Sequence, residues 1–243
     1  MKKVLTLAGI AAALSVLVLS GCAASRISTA AQLARESEPF QHNPPNAALR
    51  MLIVGDSTGV GTGASAPQNS LAGLLAQAFP QLAIKNMAQD GATFEGVVQQ
   101  LQRETERFDV VLIHAGGNDV IRLRSDEAMR VDIERAVSLA SARADDVLVM
   151  PAGNVGNAPF FFAPVAGFMS NRAQRMHRYV KATAEQQGAV YVSLFKDEAN
   201  DPFANNPSLH AADGLHPSDA GYRIWFDELM RQADLASMLA PAR

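Results

Sequence analysis

A single cysteine, Cys22, among 243 residues excludes a disulfide within the chain and any thiolate cluster for a structural metal. Aromatic residues are sparse at 6%, with one tryptophan, and nowhere interleave with lysine and arginine. The 21 basic and 24 acidic residues leave a net charge of −3 and form no basic cluster, so nothing points to nucleic acid as a partner. The only long apolar run, Val4–Leu19, is shorter than a comfortable membrane span. No spacing of His, Cys, Asp and Glu matches a metal site, and no cofactor is implied. These absences leave a globular protein, long enough to bury one sizeable core.

The N-terminus has its own logic. Lys2 and Lys3 precede the apolar run as the charged part of a secretory signal. The run closes on Leu19-Ser20-Gly21-Cys22, which resembles the lipobox of bacterial lipoproteins. That resemblance implies removal of 1–21 and lipidation of Cys22. It also implies membrane attachment through several acyl chains, which hold far better than one. Ala23, in place of aspartate, is similar to the pattern that sorts to an outer membrane in a host that has one. The expected location is therefore the cell envelope, on the periplasmic face of the outer membrane in a Gram-negative host. Residues 22–48 are small and polar and include Pro44-Pro45, which favours extended backbone. They are expected to form a flexible tether, with room for a short helix within Ser28–Glu38. The folded domain is expected over 49–243.

From Arg50 onward, apolar runs alternate with amphipathic stretches. Strands are predicted at Met51–Val54, Leu82–Asn86, Val110–Ala115, Val147–Pro151 and Val190–Leu194. Helices are predicted at Ser70–Phe79, Thr93–Arg107, Asp126–Arg143 and Asn171–Gln187, with a last one from Ser218 past Trp225. Strands this continuously apolar suit a parallel sheet covered on both faces. The prediction is a flavodoxin-like three-layer α/β/α sandwich with a mainly parallel five-stranded sheet. In such sheets ligands gather at the carboxyl ends of the strands. Four short blocks fall on that rim: Gly55-Asp56-Ser57, Asn86 to Gly91, Gly116-Gly117-Asn118-Asp119, and Asp213-Gly214-Leu215-His216-Pro217.

Each block can supply one part of an acyl-transfer site. Ser57 is a candidate nucleophile that needs a base to take its proton. His216 is the candidate base, and Asp213, three residues earlier, can accept its other N–H and fix the tautomer. The backbone N–H groups of Ser57 and Gly91 and the side-chain amide of Asn118 are candidate oxyanion donors. Asp56 and Asp119 are expected to brace loops. The order and chemistry of the blocks resemble the SGNH hydrolases, the GDSL-type esterases and lipases. The resemblance spans nearly all the chain from Arg50. It implies a metal-independent serine esterase acting through an acyl-enzyme on a small-molecule, lipid or carbohydrate ester, including O-acetyl groups.

Other readings are open to the same residues. Gly55-Asp56-Ser57-Thr58-Gly59 satisfies the nucleophile-elbow pattern of α/β-hydrolases, but that fold needs several strands before its serine. Gly59-Val60-Gly61-Thr62-Gly63 hints at a dinucleotide turn. Its spacing is incomplete, and no acidic residue ends the second strand. A non-catalytic envelope lipoprotein using the fold as a binding module is the alternative from another class. Among the other histidines, His114 reads as a satisfied interior residue. His177 is expected on a solvated helix, and His210 lacks a carboxylate three residues upstream. Phe160, Phe161 and Phe162, in a loop after the fourth strand, are candidates for an acyl pocket or for a core under the loop.

Overall fold

The computed structural model describes residues 24–239, so the expected signal at 1–21 and the lipidation site Cys22 lie outside the described residues. Among the described residues five strands are formed: β1 (Leu49–Gly55), β2 (Leu82–Asn86), β3 (Phe108–His114), β4 (Ala144–Val149) and β5 (Val190–Tyr191). All pair in parallel, in the order β2-β1-β3-β4-β5. Period-two alternation sends successive residues to opposite faces. Leu52, Val54, Val111, Ile113, Val147 and Val149 join one core, and Met51, Ile53, Val110, Leu112 and Leu148 the other. The first core lies under α4 (Phe94–Arg103), α6 (Asp126–Ser141) and α7 (Val165–Gln187). The second lies under α3 (Leu71–Ala78) and α9 (Asp219–Gln232). This is the three-layer sandwich that the alternating pattern predicts.

Four further helices are short: α2 (Ser57–Val60), α5 (Gly117–Ile121), α8 (Pro202–Asn205) and α10 (Leu235–Met238). The first two start directly after β1 and β3, too short for a periodic signal. Strand β5 is also shorter than its apolar run. Past Val192 the ladder is replaced by Gln232, whose side chain accepts from Ser193 N at 2.8 Å and donates to Ser193 O at 2.9 Å. Helix α7 starts earlier than predicted and takes in Phe168. Ser218 caps α9, accepting from Gly221 N at 3.4 Å.

Two expectations are corrected. Residues 24–36 form a helix, α1, and the chain after it is joined to the domain rather than free. His42 forms an antiparallel bridge with Ile84 at the open edge of β2, and Gln41 donates to Asn86 O at 2.7 Å. An exposed strand edge offers unpaired backbone groups, and this segment takes them up. His177 is buried rather than solvated. Its ring donates from Nε2 to Ala152 O at 2.8 Å and accepts the Tyr191 hydroxyl at Nδ1 at 2.7 Å. Arg175, Arg178 and Lys181 hid this in the sequence, because they lie on other faces of the same helix.

Burial holds the His177 pKa down, from 6.5 to about 4. Between those values the unfolded chain binds a proton that the folded protein refuses. Stability is therefore complete above pH 6.5 and is lost as the pH falls towards 4, by on the order of 3 kcal/mol. Urea unfolding of wild type and His177→Leu across this range should show a smaller loss on acidification in the variant.

Candidate active site

The site grows from the switch point of the sheet, where β1 and β3 run side by side and their connections leave to opposite faces. At the end of β1, Gly55 lies so close to β3 that a Cβ would stand 2.0 Å from His114 O. Only glycine fits there, and the next amide, Asp56 N, donates to the same carbonyl at 3.1 Å. Asp56 then caps α2, accepting from Thr58 N at 2.9 Å and Thr58 Oγ1 at 2.7 Å. Ser57 is the first residue of that helix, so its own N–H has no intrahelical acceptor.

His216 reaches Ser57 from the loop before α9. Its Nε2 lies 2.9 Å from Ser57 Oγ, and its Nδ1 lies 2.5 Å from Asp213 Oδ2. The second Asp213 oxygen accepts the backbone N–H groups of Leu215 at 2.9 Å and His216 at 3.1 Å. Burial alone would push the Asp213 pKa up. The His216 ring and the two backbone donors outweigh it, so the carboxyl lies below its ordinary range. An ionised Asp213 requires Nδ1–H on the imidazole, which leaves the Nε2 lone pair facing the serine hydroxyl.

The two remaining blocks border the same cavity, whose volume is about 430 Å³. In the block after β2, Asn86 donates to Gly59 O at 2.9 Å and accepts Ala88 N at 3.0 Å. This braces the turn that carries Gly91 at φ +74°, a left-handed conformation that favours glycine. After β3, Asn118 sits in α5 on the cavity wall. The N–H groups of Ser57 and Gly91 donate to no backbone carbonyl among the described residues, and Asn118 borders the same cavity. Asp119 turns inward and accepts Phe94 N at 3.0 Å. Burial lifts its pKa to about 7, with the Asp56 charge adding to the rise and the Phe94 amide only partly offsetting it. Asp56 and Asp119 therefore brace loops, in environments unlike that of Asp213.

The phenylalanine loop divides three ways. Phe160 lines the cavity, and its N–H donates to Gly214 O at 2.9 Å, tying the loop to the His216 turn. Phe161 packs on the core, and Phe162 is exposed. His114 donates from Nδ1 to Met150 O at 2.7 Å inside the core. His210 donates to Phe203 O at 3.1 Å and borders the same cavity, without a hydrogen bond to Ser57. Among the described residues no group of three or more His, Cys, Asp or Glu could hold a metal ion.

Several residues near the site carried no local signal. Ile121, Leu194, Phe203, Leu215 and Trp225 make the wall largely hydrocarbon. Arg172, buried on α7, donates to Val120 O at 3.2 Å and to Arg124 O at 2.5 Å, holding the end of α5. Ile27, Ala30, Ala31 and Ala34 come from α1. Only the i, i+3, i+4, i+7 spacing of that last set could have marked it in advance.

Residues 53–224 match the GDSL-like Lipase/Acylhydrolase family. No curated protein sequence matches the chain significantly. Among solved structures, TesA superposes with a TM-score of 0.62 at 21% identity, over 78% of this chain and 99% of its own. A lipase/acylhydrolase from Enterococcus faecalis gives 0.62 at 21%, over 80% of this chain and 99% of its own. An acetyl xylan esterase from Geobacillus stearothermophilus gives 0.58 at 19%, over 77% of this chain and 95% of its own. At these identities the likeness is one of fold.

Replacing Asn118 with alanine should lower kcat on an ester by roughly 100- to 1000-fold, the usual effect of losing one oxyanion donor. Steady-state kinetics alongside a melting curve checks it. A comparable fall in stability would mark Asn118 as structural instead.

Proposed function

The chain belongs to the GDSL-like lipase/acylhydrolase family and is a serine esterase, and from that premise we propose that it cleaves lipid-like acyl esters at a membrane surface. In this reading Ser57 Oγ attacks the ester carbonyl while His216 Nε2 takes its proton. Asp213 holds the imidazole tautomer and stabilises the positive charge that forms. The amides of Ser57 and Gly91, with the Asn118 carboxamide, receive the oxyanion. His216 returns the proton to the departing alkoxide, and water then attacks the acyl-Ser57 ester by the same route in reverse. The observation that carries the assignment is the unbroken chain from Asp213 through His216 to Ser57, at 2.5 and 2.9 Å.

The hydrocarbon wall of the cavity favours an acyl chain over an acetyl group. Each buried methylene is worth about 0.8 kcal/mol, close to fourfold in kcat/KM. The acetyl xylan esterase of similar fold makes O-acetyl carbohydrate the competing substrate class. Hydrolysis of p-nitrophenyl esters from acetate to octanoate, with chelator present and Ser57→Ala as control, separates the two. A rise in kcat/KM with chain length, lost in the variant, is expected. A maximum at acetate would favour the carbohydrate ester. No turnover and no covalent labelling of Ser57 would leave a binding module.

Cleavage before Cys22 and its lipidation would place the domain on the envelope membrane, on the periplasmic face of the outer membrane in a Gram-negative host. The sequence Leu19-Ser20-Gly21-Cys22 supports that reading. Cys22→Ala should move the protein from the membrane fraction to the soluble one. Equal partition of both forms would overturn the anchor.

A further inference from the structure

The family match begins at residue 53, yet part of the catalytic cavity is built by chain ahead of it. Helix α1 presents Ile27, Ala30, Ala31 and Ala34 along one stripe. None of the four belongs to either core, so the stripe is not used to close the sandwich. It forms instead a wall of the cavity that holds Ser57 and His216. Three alanines leave space where larger side chains would fill it. Ile27 remains 59% exposed, although a large aliphatic side chain gains from burial.

The helix is fastened to the catalytic rim, not simply laid against it. Near its start the Arg26 guanidinium donates to Pro159 O, beside Phe160. Just past its end Ser37 Oγ meets Thr62 Oγ1 at 2.9 Å. The Thr62 hydroxyl in turn donates to Asp90 at 2.7 Å, next to Gly91. Both ends of α1 are therefore tied to loops that carry the site, which fixes its distance from Ser57.

We propose that α1 is the acyl-chain wall of this esterase, with Ile27, Ala31 and Ala34 contacting the hydrocarbon of an ester bound at Ser57. The proposal rests on the esterase reading and adds a specificity element from outside the family-matched region. Filling the wall shortens the chain that fits, and removing its apolar surface weakens the hold on long chains.

The test uses the full chain and reads the ratio of kcat/KM for p-nitrophenyl octanoate to that for the acetate. Ala31→Phe and Ala34→Phe should each lower the ratio at least about tenfold, the scale of losing a few methylene contacts. Ile27→Ser should lower it severalfold, and its exposed position keeps the test available should a filled variant fail to fold. Gln32→Ala, on an exposed part of the helix, should keep the wild-type ratio. An unchanged ratio in the folded wall variants, or a fall shared by acetate and octanoate, overturns the proposal. Wild-type protein that neither turns over nor labels at Ser57 overturns the esterase reading itself, and the wall with it.

Discussion

The close approach of β1 and β3 at their carboxyl ends is the constraint on which the rest of the site depends. A Cβ at Gly55 would lie 2.0 Å from His114 O, so the two strands meet with no side chain between them. That contact brings the starts of α2 and α5 to one point on the rim. Ser57 and Asn118, more than sixty residues apart in sequence, thereby share one cavity. The parallel register, pairing Gly55 with His114, sets the same relation from below. A larger residue at 55 would have to separate strands whose faces are buried in two cores, and a close-packed interior does not yield without cost.

Within that frame, chemistry is assigned by environment more than by residue type. Asp213 and Asp119 are both fully buried carboxyls. Asp213 receives an imidazole N–H and two backbone N–H groups, which keep it ionised despite burial. Asp119 receives one amide and feels the charge of Asp56, and its pKa rises to about 7. The first can orient and stabilise an imidazolium; the second is suited to holding a loop. His216 and His177 differ in the same way. One faces a carboxylate and a serine, while the other faces a carbonyl and a phenol and is held neutral by burial.

The cavity is assembled from distant chain segments. Phe160 is tied to the His216 turn through Gly214, Trp225 comes from α9, and α1 contributes from the N-terminal side.

Much of this was legible in the sequence because it rests on local periodicity and short spacings. The five apolar runs mark the strands, and four rim blocks follow from loops at their ends. Asp213 and His216 lie within one turn, so their pairing is close to a local property. What escaped was whatever depends on which element lies opposite. His177 looked solvated because its neighbours on α7 are charged, and only its packing against Ala152, Tyr191 and Phe195 buried it. Phe160, Phe161 and Phe162 are alike in sequence, but the tertiary structure sends one to the cavity, one to the core and one to solvent. Residues 24–48 read as a tether because nothing local says that a strand edge and a cavity wall await them. Sequence by itself determined the layers and the five strands and marked the candidate reacting groups, since these follow from period and spacing, while the strand order came from the fold. Tertiary structure alone decided what surrounds those groups, because burial and partners are set by segments that meet only in the folded chain.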